Sequence, residues 1–78
     1  MTTDNQLELL RALGSRVRQR REELGFSRQV LADRAGVHLN YVGGIERGER
    51  NVAIINLARL GRALGYQDLG EFLAGLSL

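Results

Sequence analysis

Asparagine and arginine are the side chains whose chemistry is concentrated in one stretch of this sequence. Asn40, Arg47, Arg50 and Asn51 lie close together, with Ser27 and Arg28 a short way upstream. An asparagine amide presents a donor and an acceptor side by side, the pattern that pairs bidentately with adenine N6 and N7. Arginine's planar fork matches guanine O6 and N7, or a phosphate. Other chemistries find little to work with. There is no cysteine, so neither a disulfide framework nor a thiolate metal site is expected, and the single histidine, His38, cannot build a zinc site alone. No nucleophile and base pair, carboxylate dyad or phosphate-cradling loop stands out, so the chain is not expected to be an enzyme, and no cofactor or small-molecule ligand is expected.

The segment that must position these residues is Ser27 to Gly48, SRQVLADRAGVHLNYVGGIERG, which reads as two short helices joined by a tight glycine turn. Ser27 is an N-cap, Val30, Leu31, the Arg34 stem and Ala35 point inward, and Gly36 stands where a left-handed C-cap is needed. Val37 re-enters the core. A second helix runs from about Leu39 to Arg47 and buries Tyr41, Val42 and Ile45, and Gly48 ends it. The opposite face, with His38, Leu39, Asn40, Gly43, Gly44 and Arg47, is left free to meet a partner. This is a helix-turn-helix.

Around it, periodicity predicts three more helices and no strand. The first runs from about Gln6 to Leu24, with Leu7, Leu10, Leu13 and Val17 on its core face, and Gly25 ends it. A fourth runs from about Ala53 to Leu64, burying Ile54, Leu57, Ala58 and Leu64, with Gly65 as its cap. A fifth spans about 68–77, where Asp68 and Glu71 form a variant capping box and Leu69, Phe72, Leu73 and Leu76 make an apolar stripe. The expected fold is all-α, a compact five-helix domain over residues 1–78. At this length only about 60% of the unfolded chain's surface is buried on folding, so pairing with a second copy would help stability.

The formal net charge is only +2, but its distribution is uneven. Residues 1–10 sum to −2, residues 11–50 to +4 and residues 51–78 to zero. The positive excess falls on the helix-turn-helix segment, as expected for a face that meets phosphates. Every base is arginine and none is lysine, which the codon bias of a GC-rich genome explains better than function does. No apolar run approaches a membrane span and MTTDNQ lacks a signal-peptide pattern, so a cytoplasmic protein without a membrane partner is expected.

The pattern L-A-x-x-x-G-[VI]-x-x-x-Y-[VI]-x-x-[IL]-E-x-G resembles the phage repressor and xenobiotic-response-element family of DNA-binding domains. The resemblance extends upstream through Leu13, Gly14, Val17, Arg21 and Gly25, and downstream through Arg50, Asn51, Leu57, Ala63 and Leu64, covering roughly residues 10 to 65. The stretch NYVGGIERGERN and the short length also resemble the controller regulators of restriction-modification systems. The resemblance implies a sequence-specific regulator of transcription, prokaryotic or phage-borne, that binds double-stranded DNA. It implies an ion pair between Arg21 and Glu46, phosphate contacts from Arg28, Ser27, Arg50 and Asn51, with Tyr41 beside them, and base readout from the free face of the second helix.

Asn40 is the specificity candidate, and Leu39 is placed to pack on a thymine methyl. His38 serves as a cap, a phosphate contact or a base reader, and Arg47 reaches guanine or phosphate or stays solvated. Arg20 replaces an apolar residue, so its stem is expected to cover the core edge while its head reaches solvent or DNA. Gly43 and Gly44 cost roughly 1 kcal/mol each inside a helix, a cost that close approach to the groove would explain. One helix-turn-helix reads few base pairs. A homodimer on a pseudo-palindromic operator is therefore expected, joined through Tyr66, Leu69, Phe72, Leu73 and Leu76, with Leu78 beyond them. The competing function is a protein-interaction module on the same scaffold, such as an antirepressor or adaptor.

Overall fold

The computed structural model describes residues 3–77, and among them the backbone is helical with no strand. The helices are α1 (Thr3–Glu23), α2 (Arg28–Ala35), α3 (Leu39–Glu46), α4 (Ile54–Ala63) and α5 (Leu69–Leu73). Their boundaries follow local chemistry. Ser27 Oγ accepts from the Val30 N–H at 3.1 Å to start α2, and Asp68 Oδ1 accepts from the Glu71 N–H at 2.8 Å to start α5. Gly36, at φ 71°, ends α2 in the left-handed region that only glycine enters freely.

Leu13, Val17, Leu31, Ala32, Ala35, Val42, Ile45, Leu60, Leu64 and Phe72 form one buried cluster to which every helix contributes. Two glycines let the helices approach closely. A Cβ on Gly14 would collide with the carbonyl oxygens of Ile45 and Glu46, so α1 crosses α3 at a distance no other residue allows. A Cβ on Gly61 would come 2.9 Å from Phe72 Cδ2, so α4 lies directly on that ring.

The arginines of α1 fasten the other elements. Arg16 Nη1 donates to the Phe72 carbonyl at 2.6 Å and Nη2 to the Ala74 carbonyl at 2.8 Å. Arg20 Nε donates to the Leu64 carbonyl at 3.0 Å, and its guanidinium lies 5.4 Å from the Tyr66 ring centroid. The head of Arg20 therefore caps the end of α4 while the residue stays partly exposed. Such forks satisfy carbonyls that a helix C-terminus leaves without partners.

Several sequence expectations about packing need correction, beginning with Leu7, which is 38% exposed instead of lying on the core face of α1. The fifth helix stops at Leu73 instead of reaching residue 77, because Gly75 turns into the left-handed region at φ 83° and Arg16 takes the terminal carbonyls. The buried face of α4 is Leu60, Gly61 and Leu64, whereas Ile54 is 60% and Ile55 62% exposed, and Ala58 is also exposed. The chain approaches α4 extended at Ala53, so the first turn stands clear of the core. In α2, Ala32 is buried and Val30 lies outside. Among the described residues no helix is long and apolar enough to cross a membrane.

Candidate nucleic-acid interface

The seat of α3 is set by Glu46, whose side chain is only 1% exposed. A buried carboxylate without partners would be costly, and this one is fully engaged. Arg21 Nε donates to Oε2 at 2.7 Å and Nη2 to Oε1 at 3.1 Å, while Nη1 donates to the Phe26 carbonyl at 2.8 Å. The expected Arg21–Glu46 pair is thus present as a two-point fork. Burial alone would push the Glu46 carboxyl up, but the hydrogen bonds and charges of Arg21 and Arg28 outweigh it and hold the group below its ordinary range. Hydrogen bonding to Glu46 raises Arg21 above its usual value in turn.

Arg28 was not foreseen here. Its Nε donates to Glu46 Oε1 at 3.0 Å, which ties the first turn of α2 to the end of α3. The Arg28 side chain remains 46% exposed, so the arginine keeps an outward edge. The signal lay in the shared carboxylate: a buried Glu46 has lone pairs for more than one arginine, and Arg28 opens the helix packed against α3.

The outward face of α3 carries His38, Leu39 and Asn40 in exposed positions, with Arg47 exposed at its end. His38 is the N-cap residue but makes no side-chain capping bond, so the capping role falls away. Gly43 and Gly44, expected on the bare outer face, are in fact covered. Arg47 lies over Gly43 and Arg50 over Gly44, where a Cβ would meet Arg47 Nη1 at 3.1 Å and Arg50 Cγ at 2.8 Å. The absent side chains make room for arginines. Arg47 Nε also donates to Glu49 Oε1 at 3.1 Å.

Arg50 projects its guanidinium 5.8 Å from the Tyr41 ring centroid, and Tyr41 is half-buried with its hydroxyl accepting from Asn56 Nδ2 at 3.2 Å. A groove of about 500 Å³ runs beside these residues, and His38, Asn40, Tyr41, Arg50, Asn56 and Arg59 line it. Asn56 and Arg59, on α4, were missed from the sequence because their segment carries no net charge and looked like a simple core helix. Asn51 is exposed in the loop before α4, and Ser27 is exposed with its hydroxyl engaged in the cap.

The expected joining surface fares unevenly. Phe72 is 0% exposed, held under Gly61 and stacked on Tyr66 at 5.1 Å between centroids, so it belongs to the core and cannot form an interface. Tyr66, Leu69, Leu73 and Leu76 are partly buried, and Leu78 lies outside the described residues. Leu73 and Leu76 join Leu10, Leu13, Val52 and Leu57 around a mostly apolar cavity of about 260 Å³.

Comparison with known proteins agrees with this geometry. The family profile described as helix-turn-helix matches residues 17–72. Control protein C.BamHI of Bacillus amyloliquefaciens is 39% identical over 71 residues, covering 87% of this chain and 85% of that protein. Control protein C.SmaI of Serratia marcescens is 36% identical over 58 residues, covering 74% of this chain and 69% of that protein. The crystal structure of the restriction-modification controller protein C.AhdI from Aeromonas hydrophila superposes with a TM-score of 0.76 at 40% identity, covering 81% of this chain and 94% of that one. The chain belongs to the helix-turn-helix family of DNA-binding transcription regulators, in its xenobiotic-response-element branch.

Proposed function

We propose that the chain is a sequence-specific regulator that binds double-stranded DNA as a homodimer on a pseudo-palindromic operator, in the manner of a restriction-modification controller. The observation that carries the reading is the outward face of α3, where Leu39 and Asn40 stand exposed and Arg28, Arg47 and Arg50 surround a shared concavity. A side chain that reads bases must be held by a rigid scaffold, and the Glu46 node provides one by binding α1, α2 and α3 together. Ser27, Arg28, Tyr41, Arg50 and Asn51 contact phosphates in this reading; His38, Leu39, Asn40 and Arg47 meet base edges. The partial tethering of Arg28 to Glu46 suits a phosphate contact, since a pre-oriented fork loses less freedom on binding.

For the dimer, the exposed Ile54 and Ile55 replace Phe72 as the apolar element, together with Leu73 and Leu76 at the cavity edge. Two neighbouring isoleucines with well over half their surface in water are better buried against a second copy.

The test is a salt titration of binding to a randomised duplex pool. Affinity should fall steeply with salt, and Arg28→Ala should weaken all sequences about equally while lowering the slope by about 1. Binding that is independent of salt, or absent for every duplex, would support the protein-interaction function instead.

A further inference from the structure

Gly43 lies in α3 and Arg47, four residues on, is its C-cap residue with the backbone still in the right-handed helical region, so its side chain leans back toward the N-terminus over the residue four before it. Arg47 does so without obstruction because Gly43 offers only backbone: Nη1 lies 3.1 Å from where a Cβ would stand. Its Nε is engaged by Glu49 Oε1 at 3.1 Å, and among the described residues no acceptor takes Nη1 or Nη2. The guanidinium therefore presents its end-on pair of donors at a concavity of about 340 Å³ that Leu39, Asn40, Gly43, Arg50 and Arg28 also line.

We infer that Gly43 and Glu49 are positioning residues that lay Arg47 on the groove-facing side of α3 as a reader of guanine, with Nη1 and Nη2 directed to O6 and N7. The inference rests on the DNA-binding reading above and assigns specificity within it. Charge decides between guanine and phosphate. Glu49 pairs with Arg47 alone, offsets its charge and would repel a phosphate brought to the same spot, whereas Glu46 is shared by Arg21 and Arg28 and leaves a net positive charge beside Arg28; the neutral acceptors of guanine suffer no such penalty. Arg50 differs: its stem fills the space over Gly44, and no carboxylate among the described residues pairs with it, which fits a backbone contact.

The experiment uses the full chain and the duplex it enriches from a randomised pool, with each guanine replaced in turn by 7-deazaguanine, which keeps base pairing and O6 but lacks N7. The wild type should lose about tenfold in affinity at one guanine position, and Arg47→Ala should be indifferent to that replacement. Gly43→Ala should melt no lower than the wild type yet discriminate by less than about threefold, a loss that a merely structural glycine would not produce. Glu49→Ala should lose discrimination while binding unrelated duplex more tightly. The inference is overturned if Arg47→Ala remains as sensitive to 7-deazaguanine as the wild type, or if Gly43→Ala keeps the full discrimination. If no site is enriched and binding is independent of salt, the DNA-binding reading itself fails, and this assignment with it.

Discussion

Asn40 and Glu46 show how differently two polar residues of one short helix contribute. Asn40 is exposed and free to meet an adenine, so Asn40→Ala should cost about 1–3 kcal/mol at one adenine position while affinity for random DNA changes little. Equal losses on both duplexes in an anisotropy titration would make it a backbone contact. Glu46 acts inside the protein. Its folded carboxyl titrates below its unfolded value of about 4.3, so the stabilisation is complete above that pH and is lost as pH falls through the folded value. Denaturant midpoints should therefore drop on acidification below about pH 4, and Glu46→Gln should flatten that dependence. Arg21→Ala at neutral pH should cost about 3 kcal/mol, the lower end for a broken buried pair, because Arg28 still reaches Glu46. A melt changed by only a few tenths would show that the node does not hold the helices.

At the scale of the helices, glycines sort into two kinds. Gly14 sits where α1 meets the backbone of α3, and Gly14→Ala should destabilise by about 1–3 kcal/mol despite alanine's better helix propensity, as thermal melts would read. Gly43 faces the movable end of an arginine, so alanine there should leave the melt intact. Periodicity and cap residues made the order of the helices, the caps at Ser27, Gly36 and Asp68 and the Arg21–Glu46 pair legible from the sequence, because each depends on neighbours three or four positions away or on a matched motif. What was hidden depends on tertiary approach. Phe72 looked like part of a surface stripe because nothing local reveals that Gly61 opens a space for its ring. Ile54 matched a helical period, yet the angle at which the chain enters α4 turns it outward. Arg59 and Asn56 join the face of α3 only because α4 folds beside it.

For the molecule as a whole, the exposed Ile54 and Ile55 lead to a prediction about mass. At micromolar concentration the chain should sediment as a dimer, and the double variant Ile54→Asp, Ile55→Asp should sediment as a monomer with an unaltered far-ultraviolet helical signal. A wild type that is monomeric under those conditions would remove this interface. Phe72→Asp is no substitute, since a charge in the core should unfold the chain. The row of arginines along α1 has a different consequence. Arg16 holds two carbonyls at once, and Arg21 holds a carboxylate and a carbonyl together. A lysine carries the same charge but not the planar fork, so lysine should be tolerated at positions whose partner is a phosphate and rejected at positions 16 and 21. Lysine replacement would thus divide the arginines of this chain into those that serve as point charges and those that serve as brackets.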